Sequence, residues 1–263
     1  MITEENYYSQ QANVDYMSCS QFKDFLKCEE MALAKISGDY RQPTTNAMLI
    51  GSYVDAHFEG TLDVFKAKHP EIFKRDGSLK ADFVKAEEII QRTERDRLFS
   101  KYMSGEKQVI MTGKIEGVPF KIKMDSYHEG KAIVDLKCMK DFKPVWDEET
   151  HRKLPFVEAW GYDIQGAIYQ EIVRQNTGKQ LPFFIAGATK ESVVDICVMS
   201  IPQERLDICL DLVRAKVPRY QAIKEEKVPP KRCEKCDWCK ETKILKEIVD
   251  YRDIGVDDIA IDA

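Results

Sequence analysis

The stretch that most restricts the fold of this chain is Lys123-Met124-Asp125-Ser126-Tyr127-His128-Glu129-Gly130-Lys131-Ala132-Ile133-Val134-Asp135-Leu136-Lys137. Ile122, Met124 and Tyr127 precede a Glu-Gly reversal, and Ile133, Val134 and Leu136 follow it, which predicts an antiparallel hairpin. A turn centred near Gly130 sets Asp125 roughly opposite Asp135. Asp135 and Lys137 are two apart on one strand and so share a face. Two carboxylates and an ammonium thereby meet at one place. Two carboxylates offer oxygen ligands to a hard divalent cation, with waters completing its shell. A lysine beside such a water would orient or deprotonate it for attack on phosphorus. A lone Asp-x-Lys hairpin, however, is more simply a solvated charged edge. The residues that accompany it must decide.

The periodicity around the hairpin predicts an α/β (α+β) architecture, a mixed central β-sheet flanked by helices. Three strands are expected between Lys107 and Lys140, joined at Glu116-Gly117 and Glu129-Gly130, and two more at Leu181–Ala188 and Val193–Ile201. Ser18-Cys19-Ser20-Gln21 has capping-box spacing, and Phe22, Phe25, Leu26, Leu33 and Ile36 carry one helical stripe to Gly38. Further helices are expected from about Ala47 to Phe58, and from Lys80 to Tyr102 with Phe83, Ala86, Ile90 and Leu98 along one side. A basic loop from Lys140 to Pro155 leads to a helix from Phe156 to Asn176 that Gly178 ends. The last long helix runs from Gln203 to about Glu226, with a break or kink at Pro218. No repeat or linker divides the chain, so residues 1–246 read as one domain, followed by an acidic tail over 247–263.

Composition narrows the function. The 263 residues include 43% hydrophobic and 32% charged side chains, as in an ordinary globular protein. No apolar run would span a bilayer, and the start lacks a secretion signal, so a cytoplasmic location is expected. A net charge of −5 argues against a surface that is basic all over. It leaves room for an enzyme that holds a metal with carboxylates and confines its phosphate contacts to one face.

Three elements favour phosphodiester chemistry over a solvated edge. His57, in Gly51-Ser52-Tyr53-Val54-Asp55-Ala56-His57, would ligate a metal or bind a phosphate; a surface hydrogen bond is the bland alternative. Gln165 and Tyr169 are i and i+4 on a helix and share a face, from which both would reach a phosphate or the attacking water, unless they form only a polar stripe. Lys137, Lys140, Lys143, Arg152 and Lys153 alternate with Phe142, Trp146 and Phe156, residue types that contact phosphates and stack on bases but also make up solvated loops.

His57, Asp125, Asp135-x-Lys137 and Gln165-x-x-x-Tyr169, in this order, resemble the PD-(D/E)xK nuclease superfamily. The likeness is to its RecE-type phage and prophage exonucleases (exonuclease VIII-like), relatives of the lambda exonuclease and the RecB nuclease domain. It runs from about Ser18 to Lys246. The resemblance implies Mg²⁺ (or Mn²⁺) at His57, Asp125, Asp135 and the carbonyl of Leu136. It implies Lys137 at the nucleophilic water, Gln165 and Tyr169 as the helix motif, and DNA contacts from Lys140, Lys143, Arg152 and Lys153. The implied activity is 5′-to-3′ resection of one strand of linear duplex DNA for recombination, with a RecT-type annealing protein as partner. Related exonucleases form rings, which leaves a homo-oligomer open. The leading Pro-Asp is absent, because Met124 precedes Asp125.

Eight cysteines in a chain without a secretion signal are better read as thiols or metal ligands than as disulfides. Cys233-Glu234-Lys235-Cys236-Asp237-Trp238-Cys239 sets three of them at C-x₂-C-x₂-C spacing in a polar segment, which points to a metal. The fourth ligand would be Cys28, with Cys19 as the substitute; Cys138, Cys197 and Cys209 read as buried thiols. Similarity to AddB-like and CRISPR-adaptation nucleases implies a structural [4Fe–4S] cluster, although their final spacing is wider; zinc is the alternative. Two other functions fit the same residues: a CRISPR-adaptation-like exonuclease acting on single strands, and a non-catalytic DNA-binding iron–sulfur protein. A zinc-stabilised interaction module is the fourth.

Overall fold

The computed structural model describes residues 2–148 and 150–253. Seven helices come first: α1 (Gln10–Asp15), α2 (Cys19–Lys27), α3 (Glu29–Ser37), α4 (Asn46–Glu59), α5 (Leu62–Lys68), α6 (Ala81–Glu94) and α7 (Arg97–Tyr102). The strands β1 (Val109–Ile115), β2 (Val118–Met124), β3 (Ser126–His128), β4 (Ala132–Met139), β5 (Val145–Asp147) and β6 (Arg152–Leu154) follow. Then come α8 (Phe156–Ala159), α9 (Tyr162–Thr177), β7 (Phe183–Thr189), β8 (Ile196–Ser200), α10 (Gln203–Lys224) and α11 (Asp237–Glu241).

A mixed sheet in the order β3-β4-β7-β8 forms the centre, with β4 and β7 parallel and both outer pairs antiparallel. Beside it lies the antiparallel pair β1-β2. Their turn places both Glu116 (φ 48°) and Gly117 (φ 77°) in the left-handed region, the twist a two-residue hairpin requires. Alternation along the sheet divides the core. Ile133 and Ile185 face α2, α9 and α10, whereas Val134, Leu136, Ala186 and Ala188 face α4, α6 and α7. Burying such aliphatic side chains contributes about 1.5–3 kcal/mol each, so this two-sided packing is what holds β4 in place.

Several boundaries differ from those expected, each for a local reason. The helix from Ser18 to Gly38 is two helices parted at Cys28, whose backbone is extended (φ −164°, ψ 115°) and whose sulfur accepts from Met31 N at 3.5 Å. Ser18 does cap α2 through Gln21 N at 3.2 Å, but the Gln21 side chain donates to Asn13 O instead of closing the box. The third expected helix breaks into α6 and α7 where Asp96 caps Phe99 N at 2.9 Å; Phe99 turns inward and Leu98 outward. The hairpin's first strand is divided at Asp125 into β2 and β3. Part of the basic loop pairs as the β5-β6 hairpin. Gly161, at φ 62°, separates α8 from α9. Pro218 lies inside an uninterrupted α10, where buried Val217, Tyr220 and Ile223 hold the turns on both sides of it. The acidic tail from residue 254 onward lies outside the described residues.

Candidate active site

The β3-β4 register pairs Ser126 with Val134 and Tyr127 with Ile133, so one step further Asp125 stands opposite Asp135, as the hairpin predicts. The opposing β1 side is opened at the same point. Glu106 bridges Tyr127 and Val109 pairs with Met124, which sets Gln108 opposite Asp125, yet neither residue belongs to a strand. Gln108 is left-handed (φ 54°), and Gln108 Oε1 and Lys107 Nζ are both shielded without a hydrogen-bond partner. Strain and unmet polar groups concentrate here, as is common at functional sites. Freed from the ladder, the Asp125 carboxylate turns across to β4 and accepts from Leu136 N at 2.8 Å.

Asp135 is 3% exposed. Its Oδ1 accepts from Gln165 Nε2 at 2.6 Å, while its shielded Oδ2 pairs closely with the Lys137 ammonium. Gln165 reaches it because α9 settles closely on β7 at Gly166, where a Cβ would stand 2.8 Å from Phe183 and 2.9 Å from Leu206. Tyr169 shares that helix face, but its hydroxyl donates to Lys123 O at 3.0 Å and clamps β2 beside Asp125. It meets backbone, not the open cleft.

His57 does not join the group. Its Nε2 lies 2.7 Å from Glu94 Oε1, and the ring packs edge-on to Phe58. Two residues earlier on α4, half-buried Asp55 faces the same cleft as Lys137. Sequence reasoning passed over Asp55. The available signal was Gly51, Ser52 and Asp55, small or polar residues at helical spacing in an otherwise apolar helix.

The electrostatics follow from this crowding. Burial first, then the charge of Asp135, pushes the Asp125 carboxyl up to about 7, against the pull of Lys137 and the Leu136 N–H. Burial and then Asp125 hold Asp55 well above the usual carboxylate range. Burial opposes the Lys137 charge, but Asp135, Asp125 and Asp55 outweigh it and raise the lysine. One ammonium cannot balance three carboxylates, so the centre favours an added cation. The donor set suits a hard divalent ion: carboxylates from α4, from the break between β2 and β3, and from β4.

Asp55 and Lys137 open onto a cleft of about 1040 Å³. Lys23, Lys137, Lys140, Lys143 and Lys190 line it against Asp55 and Asp141, so this face is basic although the chain carries −5 overall. Trp160, 53% exposed, forms part of its wall, and Tyr162 lies under the Lys137 ammonium at 5.5 Å. Of the four basic residues expected to contact DNA, Lys140 and Lys143 line this cleft. Arg152 and Lys153 are exposed on β6 and do not line the cleft. Phe142 and Phe156 pack together at 5.6 Å, whereas Trp146 is left 50% exposed.

A second candidate centre lies away from the cleft. The Sγ atoms of Cys28, Cys233, Cys236 and Cys239 all fall within 4.8 Å of one another. The break between α2 and α3 is what aims Cys28 at this point, and Glu234 (φ 57°) turns the chain between Cys233 and Cys236. Cys236 N donates to Cys233 Sγ at 3.3 Å and Cys239 N to Cys236 Sγ at 3.5 Å, bonds that favour thiolates. Burial opposes the Cys233 thiolate, but the backbone N–H groups of Lys235 and Cys236 bring its pKa down to about 7, whereas burial pushes the Cys236 thiol up to about 12. Glu29 grips Arg219 through two bonds of 2.7 Å and accepts from Lys231 N at 2.8 Å, which ties the strap to α3 and α10. Cys19 is buried elsewhere, beside Lys23 and Lys137. Cys209 is buried and Cys138 partly so, but Cys197 is exposed on the outer strand β8, contrary to expectation.

No curated protein matches the chain. Among solved structures it is similar to a crystal structure described as "Putative exonuclease" from Eubacterium rectale, at 50% identity over 97% of this chain and 98% of that one, with a TM-score of 0.93. Residues 18–242 match the family model for a PDDEXK-like domain of unknown function (DUF3799), a span that takes in Asp55, Asp125, Asp135, Lys137, Gln165 and all four clustered cysteines. The chain belongs to the PDDEXK-like DUF3799 family.

Proposed function

We propose that the protein is an Mg²⁺-dependent deoxyribonuclease, an exonuclease that resects one strand of linear duplex DNA. The observation that carries this reading is the mutual interaction of Asp55, Asp125, Asp135 and Lys137, two of which, Asp55 and Lys137, line a lysine-rich cleft. Family membership and the Eubacterium rectale relative support a nuclease. Asp55, Asp125 and Asp135 would hold the metal, with Asp55 in the role the sequence reading gives to His57. When bound, the metal supplies Lewis acidity at a phosphoryl oxygen and a more acidic water.

The chain's own residues do the rest. Lys137, held protonated by the surrounding carboxylates, offsets negative charge growing on the phosphorus oxygens. Gln165 fixes the Asp135 carboxylate through Oδ1, and Lys137 pairs with Oδ2. Tyr169 is a positioning residue that holds β2, and Lys140 and Lys143 hold the strand. A 5′-to-3′ polarity and a RecT-type annealing partner follow from the RecE-type resemblance.

The four-cysteine centre is read as a structural metal site. The RecB-like resemblance favours [4Fe–4S]. The sulfur separations favour one tetrahedral ion, because zinc at about 2.3 Å from each sulfur spaces the sulfurs roughly 3.8 Å apart, close to the 3.5 Å of Cys28–Cys239 and 4.0 Å of Cys233–Cys239. Visible absorbance and metal content after anaerobic purification distinguish the two.

The deciding assay digests end-labelled linear and circular DNA with Mg²⁺. Wild type should release nucleotides from linear DNA alone, and Lys137→Ala should lose at least about 10³-fold in rate while staying folded. Digestion by Lys137→Ala at the wild-type rate would sink the assignment; cutting of circles would replace exonuclease with endonuclease.

A further inference from the structure

The face of β2 opposite core-facing Phe120, Ile122 and Met124 has no role in the mechanism above. Lys121 and Lys123 share this face, and Asp125 follows at the break between β2 and β3. Lys121 is wholly buried; its Nζ donates to Tyr7 O and, at 2.8 Å, to Asn13 Oδ1, and it sits 4.7 Å from the Tyr7 ring centre. That lysine pins the N-terminal segment over the strand.

Lys123 is placed differently. It forms no ion pair among the described residues, its carbonyl is held by Tyr169, and its ammonium lies 4.9 Å from the centre of the Tyr8 ring. Tyr8 stands edge-on to buried Tyr7, at 5.0 Å and 80°, yet is itself 71% exposed. A cation without an ion pair among the described residues and an open aromatic ring therefore stand together, the lysine two residues before Asp125. Residues of this kind bind one nucleotide: the ring stacks on a base and the ammonium meets its phosphate. The lysine-lined cleft reaches Asp55 and Lys137 but contains neither Tyr8 nor Lys123, so the two surfaces are distinct. Tyr7, which interacts with Asp125 and lies 5.8 Å from the Lys123 ammonium, connects this second surface to the carboxylate centre. A phosphodiester being cut has a nucleotide on each side.

We propose that Tyr8 and Lys123 form a nucleotide subsite across the carboxylate centre from the cleft, stacking the base on the other side of the scissile phosphate. The proposal rests on the DNA-hydrolysis reading above.

The test is a series of linear oligonucleotides, each with one abasic site, moved stepwise from the cut end. Wild type should show one position where loss of the base lowers kcat/KM by roughly 5- to 100-fold. Tyr8→Ala should lose as much on intact DNA and show no further loss at that position, with Tm unchanged; Tyr8→Trp should keep wild-type behaviour. Lys123→Gln should lower the slope of log affinity against log salt by about 0.7. An unchanged abasic profile in Tyr8→Ala overturns the subsite and leaves the nuclease reading intact. So does a lowered Tm with equal loss at every position. A wild-type protein inert on all the oligonucleotides takes down both.

Discussion

The carboxylate centre and the cysteine nest are both gathered from distant parts of the chain, but they hold charge in opposite ways. In the first, three acids crowd one lysine, and two of the carboxyls are pushed upward. The sheet and α9 hold this arrangement rigidly, so unmet demand is stored in a well-packed scaffold. In the second, backbone N–H groups supply the thiols with donors, and the segment that carries three of them is tied to the α3 region through Glu29, Glu30 and Tyr40. A site poised for chemistry should tolerate loss of its ligand structurally. A staple should not.

The sharpest way to break that contrast is at α4. Asp55→Asn removes a metal ligand and one of three crowded carboxylates. DNA hydrolysis should fall by about 10³-fold, the scale of losing a main electrostatic group at a reacting centre. Tm measured without divalent ions should stay level or rise, because like-charge repulsion in the folded state is relieved. His57→Gln should hydrolyse DNA within about threefold of wild type, since it gives up only a partly exposed contact to Glu94. A reversed pair of outcomes would restore His57 to the metal.

Cys239→Ser tests the other half. Cys239 is fully buried at the nest, and without its sulfur the strap should lose its metal and its hold on α3. Loss of a structural metal is among the few single changes costing upward of about 4 kcal/mol, or roughly 10 °C in Tm for a chain of this size. Hydrolysis at low temperature, where the variant is still folded, should stay within a few-fold of wild type. A total loss of activity in folded protein would make the nest part of the reaction.

What was legible in the sequence follows the same divide between local and distant causes. Asp125, Asp135 and Lys137 could be placed because a hairpin register and a two-residue period are local. The C-x₂-C-x₂-C trio is local too. Cys28 was identified as the partner, yet the helix break that aims it was not, because the stripe from Phe22 to Ile36 is continuous in pattern. On α4 the choice between Asp55 and His57 turns on which side of the helix meets the sheet. Tyr53, Val54 and Ala56 are all buried around it, so apolar periodicity alone could not orient it. Helical spacing put Gln165 and Tyr169 on one face but could not say that one meets Asp135 and the other a carbonyl of β2.

The smallest expected effect separates those last two residues. Tyr169→Phe removes one buried hydroxyl bonded to Lys123 O and leaves the carbonyl unpaired. A neutral hydrogen bond of this kind contributes about 1 kcal/mol, so Tm should drop by roughly 2–4 °C. The rate should fall only a few-fold, through looser placement of Asp125, and KM for DNA should hold. If Tyr169 met the phosphate directly, the balance would invert, with stability kept and the rate or KM worsened by an order of magnitude or more. Thermal melting and steady-state kinetics on the same preparation therefore decide whether this tyrosine serves the scaffold or the reaction.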